Sequence, residues 1–171
     1  LFYSMTVDDL LRMKKAGRKI VILTAYDYPT ASLLDKAGVD AVLVGDSLGM
    51  VVLGYDSTAN VTMDEMIHHA KAARRGVSLA LLIGDMPLES FAGSVEESVA
   101  CAVRFVKEAG CDAVKVEWKS GMEKIVRRIR KANVPVMGHV GLTPQTAQAE
   151  GGFRVRGLDA LGAAQIFEQA V

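Results

Sequence analysis

The chain has 171 residues, enough for one domain with a sizeable hydrophobic core. Half of the residues are hydrophobic, and 20 Lys plus Arg balance 20 Asp plus Glu to a formal net charge of zero. That balance argues against a nucleic-acid partner, and apolar runs such as Ala80 to Ile83 are far too short for a membrane-spanning helix. Cys101 and Cys111 lie in no CxxC or Cys/His cluster and read as buried, reduced thiols, which fits a cytoplasmic protein.

In chain order, short apolar strands alternate with amphipathic helices. A first helix starts near Thr6 and closes at Lys14 to Gly17. Ile20 to Thr24 reads as a strand. Pro29 suits the first turn of the next helix, which runs to about Ala37 and stops at Gly38. Ala41 to Val44 is the second strand, ending abruptly in Gly45-Asp46-Ser47 before a long glycine-bearing loop. Thr62-Met63-Asp64-Glu65 fits a capping box, opening a helix that ends at Arg74-Arg75-Gly76. Leu79 to Ile83 is the third strand. Ser94-Val95-Glu96-Glu97 is a second capping box, whose helix stops at Ala109-Gly110. Ala113 to Val116 is the fourth strand, Met122 to Ala132 a helix, Pro135 to Gly138 the fifth strand, and about Leu158 to Gln169 a last helix.

This alternation implies a parallel sheet covered by helices. A doubly wound sheet and a (β/α)8 barrel both fit the rhythm, but no G-x-G-x-x-G follows the first strand. The polar groups favour the barrel. Asp27, Asp46, Asp85, Lys115 with Glu117, and His139 fall at or just after strand C-terminal ends, which form one rim in a barrel. The expected fold is therefore α/β, a TIM-type (β/α)8 barrel. A full barrel needs about 250 residues, so residues 1–171 are expected to form a single domain covering about its first five strands.

Asp46, Asp85 and Glu117 would meet on that rim. Two like charges about 4 Å apart repel by roughly 4 kcal/mol at an effective dielectric near 20, so such a cluster needs a cation, a shared proton or water. Oxygen ligands without a Cys/His set point to a hard ion, Mg²⁺ before Zn²⁺. Lys115 and Glu117, two apart on one strand, face the same way. A lysine beside a metal-bound anion can neutralise a carboxylate substrate, and His139 could donate to the same ligand. Plainer readings stand beside these. A single Asp after a strand is most often a cap or turn residue, Asp27 before Tyr28-Pro29 above all. Lys115 and Glu117 could form a simple ion pair. His68 and His69 lie in a helix and read as surface or packing residues. The residues alone reach a metal-dependent barrel acting on a small anion, without a substrate.

Longer motifs go further. Leu23-Thr24-Ala25-Tyr26-Asp27-Tyr28, Val44 to Thr58, Asp85-Met86-Pro87, Val114-Lys115-Val116-Glu117, Val134 to Gln145 and Gly151 to Gly157 follow one another in the order of a known family. Together they resemble the ketopantoate hydroxymethyltransferase family over nearly the whole chain. The resemblance implies a (β/α)8 barrel that transfers a hydroxymethyl group from 5,10-methylenetetrahydrofolate to 3-methyl-2-oxobutanoate, giving 2-dehydropantoate in pantothenate biosynthesis. It further implies Mg²⁺ on Asp46 and Asp85, with Glu117 completing the site directly or through water. Asp46, Ser47, Asp85, Lys115 and His139 would hold the keto acid at an Mg²⁺-stabilised enolate. The implied partners are the small keto acid and the folate, with neither nucleic acid nor membrane, in a homo-oligomer that is commonly a decamer.

Two features depart from that pattern. Trp118 follows Glu117 where the family usually has glycine. The family's proton-abstracting glutamate belongs to a sixth strand, expected beyond Val171, and Glu150 does not match its motif, so no catalytic base is assigned. The alternatives are an Mg²⁺-dependent enolate enzyme like the phosphoenolpyruvate mutase and isocitrate lyase barrels, and a non-catalytic fragment or assembly subunit.

Overall fold

A computed structural model describes residues 4–147 and 151–171; Glu150 lies outside them. Five strands, β1 (Ile22–Thr24), β2 (Ala41–Val44), β3 (Leu81–Asp85), β4 (Ala113–Glu117) and β5 (Val136–His139), form one parallel sheet in the order β1-β2-β3-β4-β5. A doubly wound sheet would reverse its strand order at a switch point. Here the order is monotonic, as in the wall of a barrel. The crossovers carry α2 (Tyr28–Ala37) after β1, α4 (Met63–Arg74) after β2, α5 (Val95–Ala109) after β3 and α6 (Met122–Lys131) after β4. Helix α1 (Val7–Lys15) precedes the sheet, and α8 (Ala160–Ala170) ends the chain.

The helix starts follow from local chemistry. Thr6, Thr62 and Ser94 each complete a reciprocal capping box, with Asp9, Glu65 and Glu97 respectively. Asp27 accepts from the Thr30 amide at 2.8 Å and caps α2, which accounts for its position without a role in chemistry. Gly38 ends the same helix at φ 82°, a left-handed conformation that a side chain would oppose.

Alternate residues of the strands serve two packed layers. Val42, Val44, Leu82, Val114 and Val116 join Met66, Ala70, Ala102, Phe105 and Ile129 in the core between sheet and helices. Ala41, Leu81, Ile83 and Ala113 point the other way, into the barrel, and pack with Leu43, Met137, Met5, Val7 and Leu10. The Met5 amide donates to the Leu79 carbonyl at 2.7 Å, so α1 closes the inner face at the end where the strands begin. On the outer face of β3, a Cβ at Gly84 would lie 2.3 Å from the Phe105 ring, so glycine is what lets α5 lie against the sheet.

Strand boundaries differ from the sequence expectation for a physical reason. The amides of Ser78, Leu79 and Ala80 donate to the buried Asp35 carboxylate of α2 at 3.1, 2.9 and 2.7 Å instead of to a neighbouring strand. β3 therefore starts at Leu81. At the other end the ladder runs on through Asp85 opposite Lys115 and Glu117 opposite His139, so these polar residues are last rungs rather than loop residues. Two short helices, α3 (Leu48–Val51) and α7 (Pro144–Ala147), break what read as loop. Cys111 is buried, whereas Cys101 is only half-buried; both thiols are free.

Parts of the surface remain apolar. Val21, Ile22 and Leu23 are exposed along β1, and α8 buries none of its residues, leaving Leu161 and Phe167 about seven-tenths exposed. Among the described residues no helix is long and apolar enough to cross a membrane.

Candidate active site

The inward alternation that fills the barrel with Ala41, Leu81, Ile83 and Ala113 places polar side chains at the C-terminal rim. Asp85 follows Ile83 by two residues, Lys115 and Glu117 follow Ala113, and His139 follows Met137, so all share the inner face. Asp46 and Ser47 reach the same rim because Gly45 ends β2 and the chain turns into α3.

Lys115 is the centre of the cluster. Its Nζ donates to Asp85 Oδ1 and Oδ2 at 2.7 and 2.8 Å and reaches Glu117 Oε1 at 3.5 Å. Glu117 Oε1 also lies 3.2 Å from His139 Nδ1, and its Oε2 accepts from the Gln145 amide at 3.0 Å. The Asp46 amide donates to Asp85 Oδ2 at 3.2 Å. On its side chain, Asp46 Oδ2 accepts from Gln145 Nε2 at 2.8 Å, and the same nitrogen donates to the Met86 carbonyl at 2.9 Å. Asp46, Asp85, Lys115 and Glu117 are all buried, and His139 is about one-third exposed. Lys115 and Glu117 thus do form an ion pair, but one inside a larger constellation.

The charges explain the titration behaviour. Burial, then the neighbouring Asp85 charge, pushes Asp46 up to about 7. Burial likewise raises Asp85, against the pull of Lys115. Burial works against the Lys115 charge too, but Asp85, Glu117 and Asp46 outweigh it and hold the ammonium above its ordinary range. For Glu117, burial raises and the hydrogen bonds from His139 and the Gln145 amide lower, and the net direction is down. One ammonium faces three carboxylates, and Asp46 is the one left short of positive charge.

The site residues named from the sequence thus meet in one place: Asp46, Asp85, Lys115, Glu117 and His139 form a continuous network. Ser47, next to Asp46 in the chain, pairs instead with Tyr26, whose hydroxyl lies 2.9 Å from Ser47 Oγ. Among the described residues no three His, Cys, Asp or Glu groups already enclose a metal position. Two contributors carried no sequence mark as site residues. Tyr26 was legible in principle, because it continues the alternation of Ile22 and Thr24 past the end of β1. Gln145 was not, since it touches Asp46 from 99 residues away. His69 holds the Tyr26 carbonyl at 2.7 Å, and His68 is exposed, as expected of packing and surface residues. Trp118 continues the ladder by donating its amide to the His139 carbonyl at 2.8 Å; its ring is half-buried, with the indole N–H enclosed and unpartnered among the described residues.

Among solved structures, phosphonopyruvate hydrolase superposes with a TM-score of 0.69 at 16% identity, over 97% of this chain and 58% of that one. 2,3-Dimethylmalate lyase, a PEP mutase/isocitrate lyase superfamily member, gives 0.58 at 14%, over 77% and 51%. Phosphoenolpyruvate phosphomutase from Streptomyces platensis subsp. rosaceus gives 0.54 at 21%, over 66% and 38%. These establish the barrel fold alone. The sequence is closer to other proteins. 3-Methyl-2-oxobutanoate hydroxymethyltransferase from Desulfotalea psychrophila (strain LSv54 / DSM 12343) is 52% identical over 165 residues, 96% of this chain and 59% of the relative. The enzyme of the same name from Clostridium botulinum (strain 657 / Type Ba4) is 50% identical over 96% of this chain and 60% of its own length. The chain thus spans about three-fifths of the curated relatives it matches. The family model for ketopantoate hydroxymethyltransferase matches residues 4–171, and the chain belongs to that family.

Proposed function

We propose that this chain is the N-terminal part of a (β/α)8 barrel whose complete form transfers a hydroxymethyl group from 5,10-methylenetetrahydrofolate to 3-methyl-2-oxobutanoate, giving 2-dehydropantoate. The observation that carries the reading is the buried Lys115 cluster on the C-terminal rim, where barrel enzymes keep their chemistry. The exposed β1 edge and the unburied face of α8 support a longer barrel. In the same proposal the complete protein works in the cytoplasm as a homo-oligomer, commonly a decamer in the family.

The donor set fits a hard divalent cation. Asp46 and Asp85 end adjacent strands, are oxygen ligands only, and carry more negative charge than Lys115 offsets. Mg²⁺ tolerates two carboxylates with waters and substrate oxygens completing its shell. When bound there, it would supply a Lewis acid for negative charge developing on the keto oxygen. Lys115 is held charged and faces the substrate carboxylate. Ser47, oriented by Tyr26, and His139, backed by Glu117, donate to its oxygens. In the overall reaction the C3–H proton leaves the keto acid, the C3 carbanion equivalent bonds the folate-borne methylene carbon, and water provides the hydroxyl oxygen as tetrahydrofolate departs. The proton-abstracting glutamate is assigned to a sixth strand following Val171.

The test is product formation by the complete protein. We expect 2-dehydropantoate only when 3-methyl-2-oxobutanoate, methylenetetrahydrofolate and Mg²⁺ are all present. Cleavage or rearrangement of a 2-oxo acid without folate would favour the mutase/lyase alternative. Absence of any turnover by the complete protein would leave an assembly subunit.

A further inference from the structure

Gln145 carries no charge, yet it ties three parts of the rim together. Its side-chain nitrogen bonds Asp46 Oδ2 at 2.8 Å and the Met86 carbonyl at 2.9 Å, and its backbone nitrogen bonds Glu117 Oε2 at 3.0 Å. A carbonyl oxygen only accepts, so both N–H bonds of the amide are committed and its orientation is fixed. The residue is 7% exposed. Among the described residues, Asp85 has Lys115 as a side-chain donor and Glu117 has Lys115 and His139, whereas the side-chain donor to Asp46 is Gln145.

We infer that Gln145 is a positioning residue for the divalent-cation site: it pins one carboxylate oxygen of Asp46 and one of Glu117 from the same short helix. Asp46 Oδ1 is left without a protein hydrogen bond among the described residues, free to meet a cation. This rests on the Asp46/Asp85 cation reading above. A carboxylate on a rotatable stem is a poor ligand until something orders it, and removing an outer partner of a metal ligand typically weakens metal affinity about 10- to 100-fold. Gln145 also locks α7, through the Glu117 contact, against the strand that carries Lys115. One residue thus orders the cation ligand through its side chain and the lysine's neighbour through its backbone amide.

The test is titration of Mn²⁺, a paramagnetic stand-in for Mg²⁺, into the complete protein without substrate, followed by electron paramagnetic resonance. Q145M removes both side-chain donors at similar volume and is expected to raise the Mn²⁺ Kd about 10- to 100-fold. T146V is the control. It loses the 2.9 Å contact between Thr146 Oγ1 and Thr143 Oγ1 in the same short segment but touches no carboxylate. It is expected to lower the thermal midpoint slightly and leave the Mn²⁺ Kd unchanged. If Q145M does not fold, Q145N, with the amide on a shorter stem, carries the same expectation of weakened Mn²⁺ binding. Wild-type affinity in folded Q145M, or equal weakening in T146V, would overturn the inference and leave the cation reading standing. A wild type that takes up no Mn²⁺ would overturn both.

Discussion

Replacing Lys115 by methionine keeps most of the aliphatic stem and removes the cation at the centre of the rim cluster. Its ammonium lies 2.7 and 2.8 Å from the Asp85 oxygens and 3.5 Å from Glu117. At an effective dielectric near 20 these attractions are about 6 and about 5 kcal/mol before desolvation is counted. Neither is the net loss, because a stranded carboxylate can take a proton instead. Protonating an aspartate of ordinary pKa, about 3.9, costs roughly 4 kcal/mol at pH 7. The destabilisation therefore levels off near 4 kcal/mol, within the range of about 3–5 found when one partner of a buried pair is removed.

The sign of the pH dependence follows. In K115M the folded-state carboxylate holds its proton above the pKa of the unfolded chain, so the deficit is smallest near the unfolded value of about 4. It grows toward pH 7 by at most about 1.4 kcal/mol per unit. Millimolar Mg²⁺ restores part of the missing charge and should recover part of the loss. Urea unfolding at about pH 5 and about pH 7, with and without Mg²⁺, measures all three effects. Trp118, the single tryptophan and half-buried, is the fluorescence probe. A K115M variant within about 1 kcal/mol of wild type at pH 7, or a deficit unchanged at pH 5, would refute Lys115 as the counter-ion of the cluster.

Asp35 offers a test far from the chemistry. Its carboxylate receives three backbone amides at the entry to β3, so D35A should lose about 3 kcal/mol in urea unfolding, D35N clearly less, and a D35A loss below about 0.5 would contradict the anchoring role. G84A drives a methyl group to 2.3 Å from the Phe105 ring and should cost about 1–3 kcal/mol. The companion F105L, which makes room, should make the Gly84→Ala change less costly, and strictly additive losses would argue against the contact. Burial, then the Asp112 charge, pushes the Cys111 thiol up to about 12. It should therefore resist thiol reagents in the folded protein near neutral pH and react only on unfolding, and rapid modification in native buffer would count against its burial.

The architecture was readable because helix starts and strand faces are local properties. Thr6, Thr62, Ser94 and Asp27 each cap the helix their neighbours predict. The period-two spacing of Lys115 and Glu117, and of Ile83 and Asp85, sets which way those side chains face once the strands are known. Convergence of Asp46, Asp85, Lys115, Glu117 and His139 then follows from the parallel register. What escaped depends on contacts between distant segments. The Leu79 and Ala80 amides are claimed by Asp35, more than 40 residues earlier, and this shifted a strand end. Gln145 meets Asp46 across the rim, with no periodic or compositional sign of that partnership. The environment of Trp118 likewise depends on the surrounding packing, which its neighbours in sequence do not specify.

A cation site that holds the keto acid is tested by calorimetric titration of 3-methyl-2-oxobutanoate into the wild-type protein, with Mg²⁺ and after chelation. Keto-acid binding should require Mg²⁺ and be lost in D46N and D85N, both of which should remain folded. Equal binding in the presence of chelator, or binding that survives both substitutions, would contradict a cation site on Asp46 and Asp85.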